Sequence, residues 1–242
     1  MLLQRYDNFR NERCHSHQKA KEKPFPVKSR RQEKNNEKTE YRVRFEDFGK
    51  KQYLCRKNES VMKTEFAMET ERLLLRPWRE SDAKALYKYA SDPEVGPRAG
   101  WPPHKSAEES REIIRTIFNN DHTWAIELKA TNEVIGCIGY YVCGESNISI
   151  GENDVEAGYW VARPFWNRGI CTEALRLLID YCFREKGYSA IWSDFFMNNP
   201  ASGRVMEKCG FRDTGKINRC SHLYHGDDSP VRIMILESTK VV

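Results

Sequence analysis

Residues 154 to 174, DVEAGYWVARPFWNRGICTEA, constrain the fold of this chain more than any other stretch. Val155, Ala157, Tyr159 and Val161 alternate with Glu156, Gly158 and Trp160, which predicts a β-strand from Asp154 to Val161. Pro164 follows, and from about Gly169 to Glu185 the apolar residues recur at helical spacing until Gly187 stops them. A strand, a short basic loop and a long helix therefore come in direct succession. The first N–H groups of such a helix lack partners, and the positive end of its dipole adds to them, so the turn can hold an anion such as phosphate. Arg168 brings charge to that turn, and Gly169 allows close approach of backbone to a ligand. GxxxxGK[ST] and GxGxxG are both absent, so neither a Walker loop nor a dinucleotide fingerprint is present. An ordinary strand-to-helix turn has the same outline.

The flanking sequence continues the alternation. Arg72 to Arg76 reads as a short strand, and Ser81 or Asp82 caps a helix through Ala90. After a Pro- and Gly-rich loop from Asp92 to His104, Ser106 and Glu109 form a capping box before the apolar stripe Ile113, Ile114, Ile117 and Phe118. Trp124 to Leu128 and Val134 to Val142 pattern as a hairpin. A strand at Ala190 to Asp194, a helix capped by Asn199 with Pro200 in its first position, and a last strand at Val231 to Leu236 complete the series. The pattern predicts an α/β fold with a mixed sheet.

Of the 242 residues 39% are apolar, enough for a real core, and no apolar run approaches the roughly 18 residues of a membrane span. The opening Met1, Leu2, Leu3 meets Arg5 and Asp7 at once and lacks the apolar region of a secretory signal, so a cytoplasmic protein is expected. Eight cysteines occur without one CxxC pair, which reads as reduced thiols rather than disulfides. Cys14 to His17, CHSH, has no second ligand cluster, and no metal is expected. Residues 1–64 carry 18 Lys and Arg against 9 Asp and Glu, whereas the remainder carries 22 against 26. Residues 1–64 therefore form a basic extension, expected to be disordered, ahead of a domain at 65–242. Such an arm can contact RNA through phosphates, and a natural start at Met62 or Met68 is a further reading.

Four blocks in order resemble the GNAT superfamily of acetyl-CoA-dependent N-acetyltransferases. They are ETERLLLRPWRESDA at 69–83, EVIGCIGY at 133–140, EAGYWVARPFWNRGICTEAL at 156–175 and NNPASGRVMEKCGF at 198–211. The branch they most resemble is that of the ribosomal-protein N-terminal acetyltransferases. The resemblance implies a central, mostly antiparallel sheet, splayed where the pantetheine arm of the coenzyme lies, with helices on both faces. It implies that backbone groups of Trp160 and Val161 pair with pantetheine, that Arg168, Gly169, Ile170, Cys171 and Thr172 hold the pyrophosphate, and that Asn199 and Ser202 contact the far side of the coenzyme. Cys171 stands where the family has Gly or Ala, and Met206 where many members have a tyrosine acid.

The resemblance further implies the Val161 N–H as donor to the thioester oxygen, and Glu156 either as general base, directly or through water, or as a glutamate that only pairs with a base or caps a neighbouring loop. An α-amine, with a pKa near 8 against about 10.4 for lysine, needs the least help to become neutral. The expected acceptor is therefore a protein or peptide N-terminus, met by the loop Asp92 to His104 and the segment Asn218 to Asp228, with Trp101, His104, His222, Tyr224 and His225. Small-molecule amines, and a coenzyme-binding or RNA-tethered module without turnover, are the alternatives. A monomer or homodimer without membrane contact is expected.

Overall fold

The computed structural model describes residues 41–44, 52–57, 64–146, 148–221 and 228–238. Its strands are β1 (Tyr41–Arg44), β2 (Gln52–Lys57), β3 (Thr64–Glu69), β4 (Leu73–Pro77), β5 (Thr123–Leu128), β6 (Glu133–Val142), β7 (Asp154–Val161), β8 (Ala190–Phe196), β9 (Arg212–Ser221) and β10 (Asp228–Glu237). The helices are α1 (Ala83–Ala90), α2 (Ala107–Thr116), α3 (Ile170–Asp180) and α4 (Pro200–Lys208). The strands form one sheet in the order β1-β2-β3-β4-β5-β6-β7-β8-β10-β9, a mixed α/β arrangement. Every neighbouring pair is antiparallel except β7 and β8.

The parallel pair is where the sheet opens. Its register is Asp154↔Ala190, Val155↔Ile191 and Glu156↔Trp192, and pairing stops there although both strands continue. The next link across is a side chain, the Ser193 hydroxyl donating to the Ala157 carbonyl at 2.9 Å. On the other side β7 is paired with β6 from Val155↔Val142 to Val161↔Gly136. β7 is thus fully zipped along one edge and free along most of the other.

Helices cover both faces. The odd residues of β7 meet α3 and α4, where Tyr159 bonds Ser202 of α4 and Tyr181, just past α3, packs on Trp124 of β5. The even residues face the other layer: Trp160 touches Trp101, and its register partner Cys137 lies on the side where Trp78 stacks on Phe118 beyond α2. Arg76, only 6% exposed, ties β4 to the start of α1 through Asp82 at 2.7 and 2.9 Å and to β5 through Glu127 at 2.6 Å. Two buried charges, Arg76 and Asp82, satisfied together with the half-buried Glu127 make this joint costly to break singly.

Several sequence expectations are adjusted. Ser106 caps α2 by accepting the Glu109 N–H at 3.0 Å, but the Glu109 carboxylate takes the N–H of Lys105 rather than that of Ser106, so the box is one residue wider. Asn199 is the N-cap residue of α4 by position only; its amide donates instead to the Arg98 carbonyl at 3.1 Å. The long helix changes to a π turn at Tyr181–Glu185. β3 and β9 were not foreseen: TEFAME and RDTGKINRCS are too polar to read as strands alone, and only pairing with their neighbours holds them in the sheet. Asn218–Ser221, expected in an acceptor segment, belongs to β9 and pairs with β10. The extension at 1–64 is described only at β1, β2 and the start of β3, which continue the sheet; CHSH at 14–17 lies outside the described residues.

Candidate active site

The opening between β7 and β8 leads into a cavity of about 560 Å³. Of the expected residues, Glu156, Trp160, Val161, Gly169, Ile170, Cys171, Thr172, Asn199 and Ser202 all line it. Arg168 does not. Its guanidinium lies over the Phe165 ring at 5.7 Å, at the rim, where Phe165 itself lines the cavity.

One end of the cavity is the turn before α3. Asn167 (φ 59) and Gly169 (φ 73) are both left-handed, so the chain coils tightly before the helix begins. The first helical bond there is Glu173 N–H to the Gly169 carbonyl at 3.0 Å, which leaves the preceding N–H groups at a helix start without helical acceptors. A Cβ on Gly169 would meet only Arg72 Nη2, at 3.7 Å. Glycine is therefore required here by its backbone angle. Cys171 lines the same wall, and burial pushes its thiol up to about 12, so it is a neutral, poorly nucleophilic group.

The strand edge between the two ends is read from the alternation of β7. The Ala162 N–H bonds the Ile135 carbonyl at 2.8 Å, and along an antiparallel ladder such bonded positions recur every second residue. Trp160 consequently directs its backbone at β6, while Ala157, Tyr159 and Val161 direct theirs at the opening. Trp160 lines the cavity, but its backbone groups are engaged with β6 rather than offered at the opening. The Val161 carbonyl is taken by Trp166 Nε1 at 2.6 Å, which leaves its N–H as the group offered to a ligand. Ala157 has given its carbonyl to Ser193.

The other end is acidic. Glu156 is 1% exposed and accepts a hydrogen bond from the Ser146 hydroxyl. Tyr141 stands opposite it on β6 and Trp192 on β8, so their side chains share its face of the sheet. Asp194, two residues beyond Trp192, returns to that face and lines the cavity with Glu156. Loss of hydration raises the Glu156 carboxyl well above its usual range, and the charge of Asp194 raises it further. Burial raises Asp194 as well. Asp194 was not anticipated, because only the parallel register brings it to Glu156.

Two expected acceptor contacts are closed off. Trp101 is 2% and His104 5% exposed; Trp101 packs edge-on against Trp160, and the His104 Nδ1 lies 2.8 Å from Ser110 Oγ. Burial lowers His104 to about 4, so its ring is neutral and structural. Gly96 makes room for Trp101, since a Cβ there would lie 2.6 Å from the indole. His222, Tyr224 and His225 lie outside the described residues. Tyr159 faces the cavity but is bonded to the Ser202 hydroxyl (3.1 Å) and carbonyl (3.0 Å), and burial raises its hydroxyl far above the ordinary value. Met206, buried at 1%, also lines the cavity and can donate no proton.

The profile of the Acetyltransferase (GNAT) domain matches residues 72–212, which hold the whole of this cavity. The chain belongs to the GNAT acetyltransferase family. It is similar to the uncharacterized N-acetyltransferase YoaA of Bacillus subtilis, 29% identical over 157 residues, covering 63% of this chain and 86% of YoaA. Among solved structures it resembles ribosomal-protein-S5-alanine acetyltransferase from Vibrio fischeri (TM-score 0.57, 20% identity, 72% of this chain and 97% of that one). It equally resembles spermidine N-acetyltransferase from Vibrio cholerae in complex with CoA and spermine (TM-score 0.57, 18% identity, 71% and 98%). As a GNAT member the chain is an acetyl-CoA-dependent N-acetyltransferase. A mostly antiparallel sheet that splays after three parallel pairs, beside a helix start with free N–H groups, suits that cosubstrate. Among the described residues no helix is long and apolar enough to cross a membrane, and no cluster of three or more His, Cys, Asp or Glu could hold a metal.

Proposed function

We propose that this chain acetylates a primary amine, foremost the α-amine of a protein or peptide N-terminus, at the acidic end of the cavity. The observation that carries this reading is Glu156, a carboxylate buried at 1% and raised by desolvation and by Asp194. A carboxylate tuned upward is a better proton acceptor near neutral pH, and an α-amine has the least to lose. Acetyl-CoA supplies the activated acetyl thioester. Gly169, Ile170, Cys171 and Thr172 hold its pyrophosphate through backbone N–H groups, with Arg168 adding charge at the rim. Tyr159 and Val161 offer backbone groups along the strand edge, and the Val161 N–H is the donor to the thioester oxygen as charge develops on it. Asn199, through its bond to Arg98, and Ser202, through Tyr159, fix the opposite wall. Glu156 takes the proton from the ammonium, directly or through water.

Two carboxylates at one end also suit a polycationic small amine, and one structural relative acts on spermidine. The two readings separate in one assay. Acetyl-CoA with a panel of N-terminal peptides and of polyamines is followed by release of free thiol. Turnover on peptides with a free α-amine, abolished by blocking that amine, supports the proposal; turnover on polyamines alone overturns it in favour of the small-amine reading. The transferase unit on this reading is 65–242, working in the cytoplasm as a monomer or homodimer, and nucleic acid would enter only through the basic extension at 1–64.

A further inference from the structure

The turn between β3 and β4 lies about a hundred residues from the phosphate loop in sequence and grips it in space. Arg72 donates through Nε to Glu173 Oε2 at 2.7 Å, through Nη2 to the same oxygen, and through Nη1 to the Arg168 carbonyl at 3.1 Å. Thr70 donates its hydroxyl to the second oxygen of Glu173 and accepts the Leu73 N–H at 3.0 Å. Lys129, just past the end of β5, secures the turn, its N–H bonding the Arg72 carbonyl and its ammonium the Thr70 carbonyl, each at 2.9 Å. Arg72 does not line the cavity.

Stability alone does not account for this assembly, since Arg72 is 46% exposed and exposed ion pairs contribute little. Position and charge do. Arg168 lies between the left-handed Asn167 and Gly169 in the tight turn before α3, and a guanidinium holding the Arg168 carbonyl fixes that turn. Glu173 stands in the first turn of α3, where a bare carboxylate would oppose an incoming anion. Arg72 neutralises it and keeps it turned to the β3–β4 side.

We propose that Arg72 is a positioning residue for the pyrophosphate of the coenzyme, acting through the Arg168–Gly169 turn and through Glu173. The proposal rests on the coenzyme reading of the cavity. A planar fork can hold two acceptors at once; a lysine ammonium on a flexible stem cannot hold both.

The test compares two ligands: CoA, and S-acetylpantetheine, which lacks the pyrophosphate and nucleotide. Binding of each is measured to wild type, to Arg72→Lys and to Thr70→Val. Arg72→Lys should weaken CoA about tenfold or more and leave S-acetylpantetheine unchanged, and Thr70→Val should do the same to a smaller extent. Thr70→Val removes one hydroxyl only, so it gives the ratio even if the arginine variant fails to fold. Equal weakening of both ligands in the folded variants would make the clamp merely structural and overturn the proposal, as would unchanged CoA binding. A wild type that binds neither ligand would overturn the coenzyme reading itself, whereas a wild type that binds CoA beside variants of unaltered selectivity would overturn the clamp alone.

Discussion

The two ends of the cavity are built in opposite ways. The end proposed for the pyrophosphate is a continuous stretch of chain, Trp166 to Thr172, shaped by local backbone angles and a helix start. The acidic end is assembled across strands, with Glu156 on β7, Tyr141 on β6, Asp194 on β8 and Ser146 in the β6–β7 connection. The first end can be altered by one local conformational change, while the second responds to the charge and register of its neighbours. Binding and proton transfer should therefore be separable by mutation.

The largest effect on binding is expected at the end proposed for the pyrophosphate. Gly169 sits at φ 73, where a β-branched residue is strained, so Gly169→Val should unwind the turn and weaken acetyl-CoA on the order of a hundredfold while the helix content persists. Calorimetric titration with circular dichroism checks both halves. Unchanged affinity would mean that the turn does not carry the anion.

That local end is the part most legible in sequence. Strand alternation, Pro164, Gly169 and the apolar run to Glu185 sufficed to outline β7, the turn and α3, because each signal lies within a few residues of what it shapes. The opposite end was only half legible. Glu156 was marked by the family resemblance together with its place on the strand, but Asp194 and the grip of Arg72 depend on pairings between residues about 40 and 100 apart. The indole and the imidazole of the 92–104 loop misled for a related reason: Trp101 and His104 pack inward, and burial cannot be seen in a Pro- and Gly-rich loop. Polar edge strands such as β9 carry too little alternation to declare themselves.

At the acidic end, a smaller effect is expected on stability. The Glu156 carboxyl has a folded pKa above its unfolded value of about 4.5, so the folded state keeps its proton longer. Folding stability from this group is intact below that value and declines as pH rises toward the raised one. Glu156→Gln cannot ionise, so its melting temperature should gain on wild type by a few degrees between pH 5 and pH 8. A gap that stays constant with pH, followed by calorimetry, would show that Glu156 is not held against its charge. Such a group destabilises the fold it sits in, as residues kept for function often do.

The smallest effect, and the most specific, concerns Asp194. Its charge is the second cause of the raised Glu156 carboxyl, so Asp194→Asn should move the acid limb of the kcat/KM profile to lower pH. Affinity for acetyl-CoA should hardly change. A limb that does not move would disconnect the two carboxylates.

The division of labour is tested most directly by Glu156→Gln, measured for turnover and for acetyl-CoA affinity on the same preparation with an acceptor found by the peptide panel. The expected result is a kcat lower by roughly 10² to 10³ with the dissociation constant for acetyl-CoA unchanged. Wild-type kcat and pH profile in this variant would contradict the account, leaving orientation and the Val161 N–H as the means of catalysis.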